Sequence, residues 1–435
     1  MTAPPPRAFC LRRTPPPPLA DAVGDSRGDR QMVNGYRLTP RHTHLRDTVR
    51  AFAETEIAPH VTQLEASRAV AHDLSRHIAR QGWLGVTIDP TYGGLGLGHL
   101  AKTIIIEELS RVSAAMGAMI QASHLGTAKI IHFGSDHQKQ TWLPAIAAGT
   151  CLPTIAVTEP GSGSHVLGMT TTAVRDGDDY LITGTKTFVG NSHIGDLHGV
   201  VARTGPGSRG LSAFLIEADR PGVHLTPHQP AMGLHGFSFG EIVFDNCRVP
   251  AANRLGADGD GLDVAYSSSI LYGRPNLAAV ALGLHQAILD TTIAYTTSQH
   301  RYGDSLAHLP VVTQRLGTIQ SRLMTARLAV YHAAHLLDTG QPCDAELINA
   351  KLINAEYAID SARTAMEIHA AHGLHPQRSP LERYLRDALH IFAPAGTSDI
   401  QLLRLAEHAL GTTTRPWSAR FKTPAPRRAA MSVGR

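Results

Sequence analysis

The chain has 435 residues, of which 43% are hydrophobic, so it is long enough for two or three domains with a large apolar core. Its formal net charge is only +4, and part of this excess lies in the C-terminal tail, so the composition predicts no basic face for nucleic acid. No uninterrupted apolar run is long enough to span a bilayer, and the N-terminus is proline-rich. We therefore predict a cytoplasmic protein that does not bind membranes.

The four cysteines lie far apart, at Cys10, Cys151, Cys247 and Cys343, and form no CxxC pair. This spacing argues against both a disulfide framework and a zinc site, so no metal is predicted. The 25 histidines are too numerous for residue type alone to identify one of them as functional.

The N-terminal part of the chain divides into two segments. Residues 1–36 contain the run Pro15–Pro18 among charged residues, which is typical of a disordered tail. From 37 to 150, apolar residues recur at three- and four-residue spacing, as at Leu45 and Val49. This pattern predicts an N-terminal helical bundle.

Residues 151–255 have a different pattern, with β-type segments such as Tyr180–Thr183 and Glu241–Phe244 between Gly, Asp and Pro turns. They predict a middle β-domain, which makes the fold class α+β.

The helical period returns over 256–412, with long apolar stripes at Ala278–Tyr295, Val311–Leu337 and Ala345–His372. This segment predicts a C-terminal four-helix bundle, followed by a basic disordered tail over 413–435.

Short motifs occur at the joints between these segments. They are His124, Phe133–Gln138, Trp142–Pro144, Val157–Ser164, Ile182–Lys186, Phe244–Pro250, Leu385–Ala388 and Gly396–Thr397. Each is weak alone, but in this order and at this spacing they resemble the acyl-CoA dehydrogenase superfamily from about residue 40 to 411. The resemblance implies a flavoprotein that binds FAD between the subunits of a homodimer or homotetramer.

The loop from Val157 to Ser164 offers backbone N–H groups and hydroxyls on a glycine-loosened turn, which suits an electron-rich flavin ring and an acyl thioester. The resemblance assigns Val157, Thr158, Gly163 and Ser164 to the flavin, and Ser164 also to the substrate. A capped turn is the alternative, because turns use the same residue types.

Phe188 and Gly190 stand where family members have Trp-Ile-Thr, whose threonine hydroxyl reaches the flavin N5. The resemblance implies that Phe188 covers the ring, while Gly190 removes the donor and leaves N5 less shielded. One hypothesis is that oxygen gains access to reduced flavin. The alternative is that Gly190 is only a turn glycine.

The region expected at the FAD diphosphate also departs from the family. Gln299 stands in place of an arginine, and the resemblance suggests Arg301 as its substitute, beside Tyr302. Glu367–Gly373 replaces a Gln-x-x-Gly-Gly-x-Gly segment, which adds a negative charge and two methyl groups. Thr397 and Asp399 complete the FAD set. Three outcomes stay open: weak FAD binding, binding of FADH2 supplied by a flavin reductase, or no binding.

The two positions where the family places its glutamate base hold Ala395 and Gly273, and neither residue accepts a proton. Tyr272 and His235 are weak candidates for acid–base chemistry, and Tyr302, His369 and His372 are further ones. The resemblance places Arg274 beneath the acyl group. Ser164, Arg274, Ala395 and Gly396 are therefore the predicted substrate residues.

Two functions follow from these departures. The first is an atypical FAD-dependent oxidoreductase, of oxidase or oxygenase type, that acts on a small-molecule, carrier-bound or polyketide-like intermediate of specialised metabolism. The second is a non-redox catalyst or ligand-binding protein that kept the fold. A conventional dehydrogenase with a relocated base is a third alternative.

Overall fold

A computed structural model describes residues 32–33, 36–413 and 416–420. Two helical regions flank a β-sheet, so the predicted order of helices, sheet and helices is confirmed. The helices are α1 (Pro40–Phe52), α2 (Val61–Ser67), α3 (His72–Ala79), α4 (Gly98–Val112), α5 (Ala114–Phe133), α6 (Asp136–Ala147), α7 (Gly261–Ser267), α8 (Arg274–Ser298), α9 (Pro310–Asp338), α10 (Asp344–His369), α11 (Leu381–Ile391), α12 (Ser398–Ala409) and α13 (Trp417–Arg420).

The strands form one large sheet and two small two-stranded pairs. They are β1 (Met32–Val33), β2 (Tyr36–Arg37), β3 (Pro153–Ala156), β4 (Thr172–Asp176), β5 (Asp179–Gly190), β6 (Leu197–Arg203), β7 (Leu211–Glu217), β8 (Val223–Leu225), β9 (Phe239–Pro250), β10 (Arg254–Leu255), β11 (His300–Arg301) and β12 (Asp304–Ser305). The large sheet has the order β10-β7-β6-β4-β5-β9-β8, and β3 pairs with β6 in parallel.

The antiparallel pair β5–β9 positions part of the candidate site. Its register shifts between Lys186 and Val189, and Gly190 then lies opposite Phe239. Such an irregularity re-aims the side chains beyond it. The end of β5 therefore presents Phe188 and Gly190 beside the start of β9.

The helical core is closely packed around α4, α5 and α8. A Cβ atom on Gly283 in α8 would lie 2.1 Å from the carbonyl oxygen of Glu107 in α4, so the glycine lets these two helices touch. The continuous helical stretch 261–298 is long and apolar enough to cross a membrane by composition, but 72% of its most apolar window is buried in the structure. That burial is typical of a core helix.

Two short elements lie within segments predicted to be disordered tails. Strand β1 pairs with β2 at the end of the N-terminal tail. Helix α13 packs on the core, where the Trp417 ring stacks on Tyr266 at 5.5 Å and the backbone N–H of Ser418 donates to Asp344. A single tryptophan in a basic tail gave no periodic signal. Residues 1–31 and 421–435 lie outside the described residues.

Helix α10 also ends earlier than the apolar stripe predicts, at His369 instead of His372. Ala370 has φ 50° and ψ −135°, and this conformation cannot continue an α-helix.

Candidate active site

Strained backbone is concentrated at the predicted flavin and substrate segments. Eight described non-glycine residues have positive φ, and four of these are Phe188, Tyr302, Ala370 and Ala395, all on those segments. Asn191, which directly follows Gly190, is a fifth. Each such residue costs on the order of 1–3 kcal/mol and persists only where the surrounding structure imposes it. Clusters of this kind are typical of ligand sites.

Helix α5 holds the strained end of β5 in place. The side-chain amide of Asn191 donates to the carbonyl oxygen of Met119 at 2.8 Å and to the hydroxyl of Ser123 at 2.9 Å. All three residues are buried. The position of Phe188 and Gly190 is therefore fixed by the helical region and not by the sheet alone.

The space beside Gly190 is filled. A Cβ atom on this residue would lie 2.9 Å from Cβ of Ala122 and 3.1 Å from the ring of Phe237. The volume that the missing threonine would have occupied is therefore filled, in part by Phe237. Phe237 stacks on Phe239 at 5.9 Å, and Phe239 stacks on Phe188 at 5.6 Å. Phe188 ends this row with 61% of its surface exposed, so its ring face is accessible to a ligand.

The loop from Val157 to Ser164 is anchored at one residue and open at its tip. Glu159 is buried and pairs with Lys186 at 2.8 Å. Burial alone would raise the pKa of Glu159, but hydrogen bonds from Lys186, Thr170 and Thr171 outweigh it and lower the pKa to about 2. Gly163 and Ser164 are exposed, and nothing lies within 4 Å of a Cβ position on Gly163. The tip is free to receive a ligand.

The two positions that lack a carboxylate touch each other. A Cβ atom on Gly273 would lie 3.1 Å from Cβ of Ala395. Gln401 donates to the carbonyl oxygen of Ala395 at 2.9 Å, and Lys351 donates to that of Gly396 at 2.8 Å. The structure thus brings together the two positions that the sequence singled out, and holds their loop with two buried side chains.

Arg274 lies directly after Gly273 and is only 7% exposed. Burial lowers its pKa to about 10, so it stays charged at neutral pH. Its Nε atom is enclosed without a partner, and within the described residues no carboxylate oxygen lies within 4 Å of its guanidinium. Burial, and then the charge of Arg274, lower the pKa of Lys351 to about 8.

The two weak acid–base candidates, Tyr272 and His235, each contact residues outside the predicted flavin and substrate set. The Tyr272 ring is fully buried under the ammonium group of Lys102 at 4.2 Å, and burial raises the pKa of its hydroxyl. The His235 ring nitrogens bond to a carboxylate oxygen of Glu65 at 3.2 Å and to the carbonyl oxygen of Ala231 at 3.1 Å. His235 is accounted for by these two bonds, whereas the hydroxyl of Tyr272 is buried without a hydrogen-bond partner among the described residues.

The segment predicted for the FAD diphosphate differs from expectation in its charge. Glu367 forms ion pairs with Arg315 at 3.2 Å and Arg363 at 3.6 Å. The added negative charge of Glu367 is therefore offset by two guanidinium groups. Arg301 is exposed and donates to the carbonyl oxygen of its own neighbour His300 at 2.7 Å. Tyr302 is 96% exposed.

Aromatic stacking holds the rest of this segment. His369 stacks on Tyr295 with ring centroids 3.8 Å apart, and His372 packs on the same tyrosine at 4.9 Å. Burial lowers the pKa of His369 to about 4. Ala370 keeps a conformation that suits glycine, and Gly373 is buried. The backbone therefore follows the course that glycines would allow, although methyl groups have been added.

Thr397 and Asp399 lie at the start of α12. Thr397 occupies the N-cap position with extended backbone, and Asp399 is exposed in the first turn. Within the part of the chain that the structure describes, no group of three His, Cys, Asp or Glu residues is arranged to hold a metal ion.

Lys351 and the two arginines around Glu367 were not among the residues predicted from the sequence. Lys351 gave a signal that could have been used, because it interrupts the buried stripe of α10 between Leu347 and Ala355. Arg363 lies one helical turn before Glu367, a spacing that predicts an ion pair, whereas Arg315 comes from a distant segment that no local pattern indicates.

Three family models cover most of the chain. They are the N-terminal domain of acyl-CoA dehydrogenase over residues 39–150, the middle domain over 154–247 and the C-terminal domain over 259–410. The chain belongs to the acyl-CoA dehydrogenase family. This result confirms the family suggested by the motifs from His124 to Thr397.

Individual relatives align with nearly their whole length. The acyl-CoA dehydrogenase of Bacillus subtilis (strain 168) is 34% identical over 379 residues, which cover 86% of this chain and all of that protein. The structure of the prolyl acyl carrier protein oxidase AnaB is 29% identical, covers 86% of this chain and 99% of its own, and has a TM-score of 0.82. The FAD complex of PigA has the same coverage and TM-score at 26% identity.

Proposed function

We propose that this acyl-CoA dehydrogenase-family chain is an atypical FAD-dependent oxidoreductase, of oxidase or oxygenase type, that acts on a carrier-bound intermediate by a reaction that requires no carboxylate base at Gly273 or Ala395. The strained backbone at Phe188, Tyr302, Ala370 and Ala395 carries the proposal. Strain lowers stability and is retained where a ligand site requires it. The cofactor segments have therefore kept their shape, although the residue that would accept the substrate proton has been lost.

The proposed FAD site combines open and exposed groups. The loop tip at Gly163 and Ser164, with Val157 and Thr158, would receive the pyrimidine edge of the flavin. Phe188 and Gly190 would face the ring, and Thr397 and Asp399 would lie at its other side. At the diphosphate, the groups are Arg301, Tyr302, Glu367 and Gly373. FAD, when bound, accepts the hydride equivalent from the substrate.

The charge around Glu367 supports this assignment. Arg315 and Arg363 leave the segment with surplus positive charge, which favours a diphosphate. The exposed Tyr302 would be covered by a second copy of the chain, so we propose a homodimer or homotetramer. We also expect that a flavin reductase can supply the cofactor to this site as FADH2.

The carrier-bound substrate and the use of oxygen are supported by likeness to AnaB, which is a prolyl acyl carrier protein oxidase. PigA, with its FAD complex, supports FAD as the cofactor. The filled space beside Gly190 means that oxygen access would depend on the lost hydroxyl and not on added volume. We place this activity in the cytoplasm and in specialised metabolism.

A non-redox role is the second candidate. The methyl groups of Ala370 and Ala371, where glycines were expected, favour it because they narrow the approach of a diphosphate to the backbone. In that case the chain would retain an acyl-binding pocket around Arg274 without flavin chemistry.

The absorbance spectrum of purified protein, recorded before and after addition of FAD and after gel filtration, tests these alternatives. We expect FAD to remain bound and to stay oxidised when saturated acyl-CoAs are added without oxygen, because no carboxylate takes the substrate proton. Ala395→Glu should raise the rate of flavin reduction by about 100- to 10,000-fold, whereas the uncharged control Ala395→Gln should not.

Two results would contradict the proposal. Protein that retains neither FAD nor FADH2 would favour the non-redox role. Rapid flavin bleaching by a saturated acyl-CoA in the unmodified protein would indicate a conventional dehydrogenase with a relocated base.

A further inference from the structure

The positive charge beside the two former base positions has no counter-ion in the described protein. Arg274 is 7% exposed and Lys351 is 1% exposed. Lys351 donates to carbonyl oxygens of Phe392 and Gly396, which are neutral. Arg274 forms no ion pair within the described residues, and its Nε has no hydrogen-bond partner. An unpaired buried charge is costly, so a group is expected to neutralise it.

The carboxylates that act on these cations are occupied by other contacts. Asp344 raises the pKa of Arg274, but its oxygens accept from the backbone N–H groups of Trp417 at 2.8 Å and Ser418 at 2.9 Å. Glu356 acts on Lys351 but accepts a hydrogen bond from the hydroxyl of Ser398. Neither carboxylate therefore serves as a direct partner.

The place that lacks an anionic partner for these cations is also the place that lacks the glutamate base. Ala395 and the Cβ position of Gly273 are 3.1 Å apart, Arg274 follows Gly273, and Lys351 bonds to the residue after Ala395. A glutamate at position 395 would add a negative charge next to Gly396, whose carbonyl oxygen accepts from Lys351, and the charge of Arg274 acts on Lys351 in turn. With Gly and Ala there, the chain supplies none.

Three polar atoms on α5 and on the helical segment that carries Gly273 are also buried without partners among the described residues. They are Oε1 of Gln121, Oγ of Ser268 and Oδ1 of Asn276. The side-chain amide of Asn276 donates to the backbone carbonyl oxygen of Gln121 at 3.4 Å, so two of these residues are in contact. Native proteins leave few such atoms, and each of them calls for a hydrogen-bonding partner.

We propose that the acyl group of the substrate carries a carboxylate, which takes the place of the lost glutamate as the partner of Arg274, with Lys351 adding to the positive potential. This deepens the proposed function and rests on it, because it specifies the substrate class of the same site. Arg274 is then a specificity-determining residue. A saturated alkyl acyl group would leave its guanidinium buried and unpaired, and would be rejected for that reason.

The test compares two CoA thioesters that differ in one terminal group, glutaryl-CoA and valeryl-CoA. Their dissociation constants are measured by titration calorimetry with the full-length protein carrying FAD. We expect glutaryl-CoA to bind about 10- to 100-fold more tightly, as for a hydrogen-bonded charge pair. Arg274→Met should abolish the preference, and Arg274→Lys should retain part of it.

The Ala395→Glu variant supplies a carboxylate from the protein itself and gives the more discriminating test. It should weaken the binding of glutaryl-CoA at least 10-fold more than the binding of valeryl-CoA, because only glutaryl-CoA competes with the new carboxylate for the same cations. Ala395→Gln has nearly the same shape without the charge and should preserve the preference.

Equal affinities in the unmodified protein, or no binding of either thioester, would overturn the inference. Equal weakening of both thioesters by Arg274→Met would also overturn it, since the CoA phosphates would then be the anion that Arg274 binds. The measurement is independent of electron transfer. A carboxylate preference in protein that cannot be reduced would contradict the proposed function and leave this inference intact.

Discussion

A buried cation in the β-domain has a carboxylate partner, whereas a buried cation at the helical site has none within ion-pair distance among the described residues. In the β-domain, the side chain of Lys186 is fully buried and Glu159 lies 2.8 Å from it. In the helical region, Arg274 is almost as buried and has no such partner among the described residues. The difference is local, because Arg327 in the same bundle pairs with Glu107 at 2.7 Å. Paired cations stabilise the fold, whereas a buried cation without a carboxylate partner, such as Arg274, is a candidate for binding a ligand.

The largest expected effect comes from buried neutral histidines, most of which lie in the helical region. Burial lowers the pKa of His124 and His285 to about 3, and that of His132 and His198 to about 4. Unfolding exposes rings that bind protons below pH 6.5, so stability is highest above this pH and is lost as the pH falls. Between pH 6.5 and 5 we expect a loss of roughly 6 kcal/mol.

Urea unfolding at several pH values measures this loss, and amide exchange locates it. The helices α5 and α8 hold three of the four histidines, so they should lose protection before β5. His124→Asn should reduce the loss. A free energy of unfolding that stays constant from pH 6.5 to 5 would contradict the prediction.

Breaking the pair in the β-domain is expected to have the next largest effect. Glu159→Gln leaves the Lys186 ammonium group buried with a weaker partner and should lower the free energy of unfolding by about 3–5 kcal/mol. The double variant Glu159→Gln, Lys186→Met removes both charges and should recover much of the loss. Urea unfolding is the measurement. A loss below about 1 kcal/mol would place this pair with exposed salt bridges.

Arg274→Met should have a smaller effect of the opposite sign. Removing an unpaired buried charge is expected to raise the free energy of unfolding by about 1–2 kcal/mol, a gain of the kind seen where function lowers stability. Arg274→Lys retains the charge and should give no gain. If Arg274→Met destabilised the protein as much as Glu159→Gln, Arg274 would have a structural role and the contrast between the two regions would not hold.

The fold could be predicted largely from the sequence, because its signals are local. Period-four stripes such as Leu45 and Val49 and the β-type run Tyr180–Thr183 predict the order of helices and sheet. The motifs then identified Gly273 and Ala395, which the structure places in contact.

The electrostatics and the filling of the site could not be predicted, because both depend on long-range contacts. Nothing near Glu367 in the sequence indicates that Arg315, on another helix, reaches its carboxylate. Similarly, the glycine at 190 suggests vacant space until Phe237 is seen against it. The position of Lys351 within the apolar stripe of α10 indicates burial, but only the packing shows which carbonyl oxygens its ammonium group contacts.

The contact between Gly273 and Ala395 has an evolutionary consequence. Two residues far apart in the chain can deliver a side chain to the same point, so an acidic group could move from one position to the other through an intermediate that carried both or neither. A chain with neither is one substitution from either arrangement. Descendants of such a chain could regain an acidic residue at different positions and still perform the same reaction.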